Sequence, residues 1–397
     1  MGWQINSLDI KAAFLQGSPI ERDVYIVPPK EANTDKLWKL KKTVYGLADA
    51  SRTWYLRVRQ ELEKVGVQVS TYDEAIFHWR TGNGFEGLIC CHVDDFLWGG
   101  SEKFREEVVE KTKQTFEVSK EDKGDLKYIG LDLKQNIDQI SMSQKKYIES
   151  LEEIETKSNR RNEEQLNSKE KRRLRGAVGQ LNWIAFQTRP DMAFDACNAA
   201  VSLKNATIRD IKNANKSIRK AKAKEVNIKF NNIGNLKEGE IVCFTDASFR
   251  NLKGEGSQGG HIIFLKGNDN FSPITWQSKK IKRIVKSTLA AEALALDEAA
   301  DSCFYLKTIL QEITGHKGYP IILKTDSRNL HDAVHSTKTI EDRRLKVDIC
   351  SLRQKLGNGE IKTIQWVNKE LQIADCLTKL EAPTLKLIEV LQGSLQI

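Results

Sequence analysis

Four carboxylates in this chain have the settings a metal site needs: Asp246 in CFTDAS, Glu292 in TLAAEALAL, Asp326 in LKTDSRN and Asp375 in IADCLTK. Metal-dependent hydrolysis of a phosphodiester calls for carboxylates that hold two divalent cations about 3.5–4 Å apart, so that a water is activated and the leaving oxygen is stabilised. Magnesium prefers oxygen ligands and keeps several of its waters, so a few Asp and Glu residues suffice, and Mg2+ (or Mn2+) is the expected cofactor. In that role Asp246 is the shared ligand from a strand, Glu292 reaches in from a helix, and Asp326 and Asp375 complete the cage. Any one Asp at a strand end is as readily a helix cap or a turn residue. Four in matching element order point to one metal-binding face. A second acidic set lies upstream, Asp9 in INSLDIKAAFLQG with Asp94 and Asp95 in CCHVDDFLW, and two metal-dependent nucleotidyl-transfer sites on one chain suggest a polymerase joined to a nuclease.

The elements that must position these groups follow from pattern. Asp9 follows a short strand, Gln4 to Leu8, and the runs GLICC and FLWGG fold back as a hairpin that presents Asp94 and Asp95 at its turn. Asp-Asp is also simply a good turn pair. Short strands fill residues 1 to about 100, with one amphipathic helix from about Ala50 to Val65; Glu102 to Phe116 has helical spacing, and YIGLDLKQ to QISMSQ resembles a hairpin. This region reads as one α+β unit. From Thr156 to Gly176, Lys, Arg, Glu and Asn dominate, giving a surface loop and then a helix start. RGAVGQLNWIAFQTRPDMAFDACNAAVSL is helical on both sides of a break at Pro190. Beyond the polar stretch Asn231 to Gly239 a new domain begins at about Glu240: strands at IVCFT, HIIFL and ITWQS, a long helix from Ser287 to Ile313, then strand, helix, strand and helix. Hairpins followed by helix–strand alternation imply a mixed sheet.

A length of 397 residues favours two or three domains, and an apolar fraction of 40% supplies real cores. The net charge of +9 favours a polyanionic partner. Residues 204 to 229 hold nine Lys or Arg against Asp210 and Glu225. There Ile208, Ile211, Ile218 and Ala221 form the apolar face of a helix whose other face carries Lys212, Lys216, Arg219, Lys220 and Lys222. Without interleaved aromatics this face suits phosphate contact, salt-sensitive and sequence-independent, or is simply a solvated surface. Seven cysteines without CxxC pairing read as reduced packing thiols, against zinc, and no apolar run is long enough to span a membrane. An intracellular protein is expected, in the cytoplasm, the nucleus or both.

Several of these motifs carry a resemblance. Residues 240 to 380 resemble the ribonuclease H domain of copia-type retrotransposon Pol polyproteins through TDAS, WQSKKIKRIVKSTLAAEALALDEAAD, KTDSRNL and WVNKELQIADCLTK. Residues 5 to about 225 resemble the matching reverse transcriptase through LDIKAAFLQG, VYGLADASRTWY, HVDDF, YIGLDL and QTRPDMAFDA. The resemblance implies a reverse transcriptase palm (1–155) and thumb or connection helices (156–230), then an α/β ribonuclease H-like domain with a mixed five-stranded sheet (240–380) and a C-terminal tail (381–397). It implies that Asp9, Asp94 and Asp95 are polymerase metal ligands, and that the partners are an RNA–DNA hybrid, primer–template nucleic acid and deoxynucleoside triphosphates, with no membrane.

Departures from the family pattern bear on activity. The chain begins almost at Asp9, so the fingers region is expected to be largely missing and polymerase activity impaired, because positioning supplies much of phosphoryl-transfer catalysis. Ala48 and Asp49 stand where the family commonly has Lys and Gln, Ser51 replaces a common Pro, and His92 replaces the usual Tyr before VDD. No His lies between Trp366 and Asp375, and EDRRLKVD lacks the family's frequent His. Three readings follow: a Pol fragment with a competent ribonuclease H, a catalytically inert nucleic-acid-binding remnant, or a subunit that gains its fingers from another protein.

Overall fold

Burial alternates along Asn6–Ile10 (β1): Asn6, Leu8 and Ile10 point into a core while Ser7 and Asp9 do not. This is the period of two that a half-buried strand imposes. The same alternation recurs across the sheet that β1 joins. After helix α1 (Ala50–Lys64) come β2 (Gln68–Val69), β3 (Ile76–Thr81), β4 (Gly84–His92), β5 (Asp95–Gly100) and β6 (Val118–Lys123), and the sheet runs β2-β3-β4-β5-β1-β6, antiparallel throughout. Helix α1 buries Ala50, Trp54, Val58 and Leu62, four residues apart, in the core that also holds Leu8, Phe77, Ile89 and Phe96. A helical run over 102–115 is π-wound at Arg105–Val109 and drops Phe104 onto Gly87 and Gly100, where a Cβ would lie 2.2 Å and 2.3 Å from the ring.

The computed structural model describes residues 2–157, 159–252 and 254–394. Contacts divide the chain into two units, residues 2–135 with 309–316, and 136–308 with the residues from 317 onward. The division falls after Gln135, because Ile148, Leu151 and Ile154 pack with the helices that follow.

In the second unit, Asn167 and Glu170 form a reciprocal capping box that starts α2 (Ser168–Gln187). Pro190 opens a short 3-10 turn, Pro190–Met192, before α3 (Ala193–Ser202). Arg189 beside it is buried: it donates to both carboxylate oxygens of Asp191 at 2.8 Å and to the Ala221 carbonyl at 2.8 Å, tying the break to α4 (Ile208–Ala223). A fully paired buried guanidinium is tolerable where an unpaired one is not. Asn215 of α4 exchanges two hydrogen bonds with the Ile154 backbone.

Downstream come β7 (Glu240–Leu252), β8 (Gly256–Gly267), β9 (Asn270–Lys280), α5 (Thr288–Thr314), β10 (Ile321–Thr325), α6 (Arg328–His335), α7 (Arg343–Gly357) and β11 (Thr363–Trp366). The sheet order is β9-β8-β7-β10-β11, with β7, β8 and β9 antiparallel and β7, β10 and β11 parallel. This is a mixed five-stranded sheet. Where the apolar run CFT reads as a strand that stops at Asp246, β7 continues through it to Leu252, so Asp246 sits mid-strand. Within 381–397 the spacing of LKLIEVL forms α8 (Leu385–Leu391), whose Leu387, Ile388, Val390 and Leu391 are buried; residues 395–397 lie outside the described residues. All seven cysteines are free, and no helix among the described residues is long and apolar enough to cross a membrane.

Candidate metal centre

Asp246 pairs with Gly260 across β7 and β8. A side chain at Gly260 would put its Cβ 2.6 Å from the Leu377 Cβ and 3.2 Å from the Leu377 carbonyl oxygen. The bare backbone there lets the turn Asp375–Leu377 lie directly on the strand. Side-chain bonds hold that turn in place: Ser248 Oγ and Asn251 Nδ2 donate to the Thr378 carbonyl at 2.8 Å and 2.7 Å, Ser278 Oγ to that of Leu377, and Gln372 Nε2 to the Thr245 carbonyl at 2.9 Å. Asp326 follows the last residue of β10 and precedes Ser327, the N-cap of α6. Its carbonyl accepts from Trp366 Nε1 at 3.1 Å. Glu292 enters from the first turns of α5.

Three of these groups converge. Ligand oxygens of Asp246, Glu292 and Asp326 lie within 4.8 Å of one another, on the wall of a cleft of about 720 Å³ that Phe194, Asn198, Phe249, Lys369 and Lys379 also line. Asp246 and Glu292 are buried. Burial, opposed by Lys379 and reinforced by Asp375, pushes the Asp246 carboxyl up to about 6. Burial, with Asp246 and Asp326 nearby, pushes Glu292 up to about 9, although the Ala247 N–H donates to it. Crowded, dehydrated carboxylates repel, and a cation relieves that repulsion. Hard oxygen donors at this spacing fit a divalent cation of the magnesium or manganese kind.

Asp375 stands apart from the trio. Lys379 Nζ donates to Asp375 Oδ1 at 2.6 Å and reaches Asp246 at 3.2 Å, and Thr378 Oγ1 donates to Asp246 Oδ2. Burial works against the Lys379 charge, but Asp246 and Asp375 together hold its pKa above the usual lysine value. Sequence reading passed over Lys379, Thr378 and Gly260. The available signal was the i, i+4 spacing of Asp375 and Lys379 in DCLTK.

The upstream set has another geometry. Asp9 and Asp95 are direct partners across β1 and β5, on the face away from the core. Asp94 occupies the two-residue loop between β4 and β5, where His92 pairs with Asp95. Val93, the first residue of that loop, has φ 56°, a region costly for a β-branched side chain. Neighbours hold it: Trp54 Nε1 donates to the Val93 carbonyl at 2.7 Å, and the Ile10 N–H to that of Asp94 at 2.9 Å. Tyr45 Oη donates to Asp94 Oδ2 at 3.4 Å. Burial, Asp94 and Asp9 raise the pKa of Asp95. Among the described residues only the downstream trio closes to within 4.8 Å; Asp9, Asp94 and Asp95 do not. Asp49, one of the departures from the family pattern, pairs with Arg22.

Lys212, Lys216, Arg219, Lys220 and Lys222 all lie exposed on α4. Four of them have partners within the chain: Lys212 with Asn162, Lys216 with Glu381, Arg219 with Glu153 and Lys220 with Asp195.

The family model described as reverse transcriptase (RNA-dependent DNA polymerase) matches residues 1–162. The retrovirus-related Pol polyprotein from transposon RE1 of Arabidopsis thaliana is 27% identical over 95% of this chain and 26% of its own length, and that from RE2 is 26% identical over the same shares. A putative transposon Ty5-1 protein of Saccharomyces cerevisiae is 25% identical over 70% of this chain and 94% of its own. The chain spans about a quarter of the length of the Arabidopsis relatives. Among solved structures, the foamy viral protease-reverse transcriptase in complex with dsDNA covers 93% of this chain and 68% of its own, at 13% identity and a TM-score of 0.50, a likeness of fold. A reverse transcriptase match at one end, and Pol polyproteins matching along nearly the whole length, make the chain similar to copia-type retrotransposon Pol polyproteins.

Proposed function

We propose that the second unit is a ribonuclease H that cuts the RNA strand of an RNA–DNA hybrid with divalent metal ions. One observation carries the reading: three carboxylates from a strand centre, a helix and a strand end meet within 4.8 Å in an open cleft. Asp246, Glu292 and Asp326 would hold the cation, with Asp375 as the further ligand, and Mg2+ or Mn2+ would supply an activated water and stabilise the leaving oxygen. The chain's own groups do the rest. Gly260 and the bonds from Ser248, Asn251 and Ser278 keep the Asp375 turn against β7, and Lys369 and Lys379 bring positive charge to the cleft for the phosphate backbone. The proposed partner is a hybrid duplex, met along its backbone, with Lys212, Lys216, Arg219, Lys220 and Lys222 of α4 as a salt-sensitive contact once their weak surface pairs exchange for phosphate.

In the first unit, Asp9, Asp94 and Asp95 would hold the metals of an RNA-directed DNA polymerase acting on primer–template and deoxynucleoside triphosphates. Their wider spacing supports the nuclease as the more competent half.

A second reading, an inert nucleic-acid-binding remnant, is favoured by one feature: Lys379 already neutralises Asp246 and Asp375. Cleavage of a labelled RNA–DNA hybrid in Mg2+ or Mn2+ separates the two. Cutting that vanishes in Asp246→Asn and Asp326→Asn establishes the nuclease; a folded chain that retains hybrid without cutting it establishes the remnant.

A further inference from the structure

Lys379 stands where the carboxylate set calls for positive charge. A single ammonium bridges Asp375 of the turn and Asp246 of β7, at 2.6 Å and 3.2 Å. It takes the side of the site that Asp375 would contribute, while ligand oxygens of Asp246, Glu292 and Asp326 still lie within 4.8 Å of one another. The partners differ in their access to water: the Asp246 side chain is 1% exposed and that of Lys379 is 37% exposed. Lys379 also lines the cleft, so rotation about its own flexible stem carries the ammonium into solvent without moving the backbone. The backbone bond from the Lys379 N–H to the Asp375 carbonyl, at 3.1 Å, holds the turn in either case.

A divalent cation carries twice the charge of an ammonium and takes several oxygens at once, so it outcompetes a partly solvated lysine for two carboxylates once its concentration suffices. The bridge therefore sets a concentration threshold; it does not close the site permanently. We propose that Lys379 is a built-in placeholder for a second cation: it admits a first ion to the Asp246–Glu292–Asp326 side and must swing into the cleft before Asp375 can ligate another. This rests on the metal-dependent reading of the site given above.

The placeholder makes the two ion sites unequal, and only the weaker is limited by Lys379. Binding of Mn2+ to the full chain, followed by the electron paramagnetic resonance of the free ion, reads this without any activity assay. The unaltered chain is expected to show a tighter and a weaker class. Lys379→Met should tighten the weaker class about tenfold by removing a competing charge, whereas Lys379→Arg should leave it weak, and Asp326→Asn should abolish the tighter one. Coincident curves for Lys379→Met and the unaltered chain, with Asp326→Asn still defective, overturn the placeholder and leave the metal site standing. Curves that show no binding in any of these proteins overturn both.

Lys379→Met also strips the counter-charge from two buried carboxylates, so its thermal midpoint in chelator should fall. The proposal expects Mn2+ to raise that midpoint more in Lys379→Met than in the unaltered chain. An equal rise, or a variant that Mn2+ does not restore, overturns it.

Discussion

Asp9 and Asp95 face each other across one antiparallel ladder, half exposed, with Asp94 at the adjoining loop. Asp246, Glu292 and Asp326 come instead from a strand centre, a helix and a strand end, and two of them are buried. Water partly screens the first set, whose spacing the ladder imposes, so the repulsion that adds to burial in raising the Asp95 pKa is weaker than that in the second set. The second set is held together by tertiary structure in a medium that magnifies like-charge repulsion. Metal binding should therefore be coupled to folding in the second unit far more than in the first.

The largest expected effect tests that asymmetry directly. Asp246→Asn should lower cleavage of an RNA–DNA hybrid by a hundredfold or more, roughly the scale of losing a catalytic electrostatic contact, while Asp9→Asn leaves the same cleavage intact. Equal losses in the two variants would break the comparison, because one catalytic centre would then depend on both sets.

A pH series gives the next largest effect. Glu292 has a folded pKa raised to about 9, above the unfolded value. Its contribution is thus fully present below the ordinary carboxylate range and is lost as pH rises toward 9, since the unfolded chain sheds the proton first. Asp246, raised to about 6, acts in the same direction over a lower window. In chelator, stability to denaturant should fall by a few kcal/mol between about pH 5 and 8, and Mg2+ should flatten that fall by favouring the ionised carboxylates. His261, lowered to about 4 by burial, has the opposite sign: stability present above about 6.5 is lost as pH falls toward 4. A metal-free chain with no loss of stability up to pH 8 would mean that Glu292 is not a buried neutral acid.

Gly260→Ala isolates the turn from the ligands. The added Cβ would meet Leu377 and Thr378 at 2.6 to 3.2 Å, and backbone cannot yield as a flexible side-chain end can. A loss of about 1–3 kcal/mol is expected from the overpacking, with Mn2+ affinity at the Asp375 side falling more than at the trio. An Ala variant as stable as the parent would show that the turn is free to move.

These contacts explain how far the sequence could be read. Asp246, Glu292 and Asp326 were legible because each sits in an element with a strong local pattern: the CFT run, a long helical stretch and the ILKT strand end. The mixed five-stranded sheet followed from hairpin spacing and helix–strand alternation. Asp375 was legible as a residue, but its engagement by Lys379 was not, because the pair closes only when the turn folds onto β7 at Gly260. The extension of β7 past Asp246 was hidden for a related reason: Ser248 is buried beneath that turn while Arg250 and Asn251 are exposed, so apolar patterning stops where the strand does not. The basic face of α4 was read from its charge, but its partners Glu153, Asp195 and Glu381 are remote in sequence.

The smallest effect sharpens the comparison from the other side. Val93 keeps a φ of 56° because Trp54 Nε1 holds its carbonyl at 2.7 Å and Asp94 is held by Ile10. Trp54→Phe removes that donor while keeping most of the buried aromatic volume. A loss of about 1 kcal/mol is expected for one part-buried hydrogen bond, and amide exchange should quicken at Val93 and Asp94. Mn2+ binding at Asp246, Glu292 and Asp326 should not change, because the hairpin that carries Asp94 depends on a local clamp and the downstream trio on a tertiary one. A Trp54→Phe chain with altered Mn2+ affinity at the trio would show that the two carboxylate sets are energetically linked, and the contrast between them would have to be abandoned.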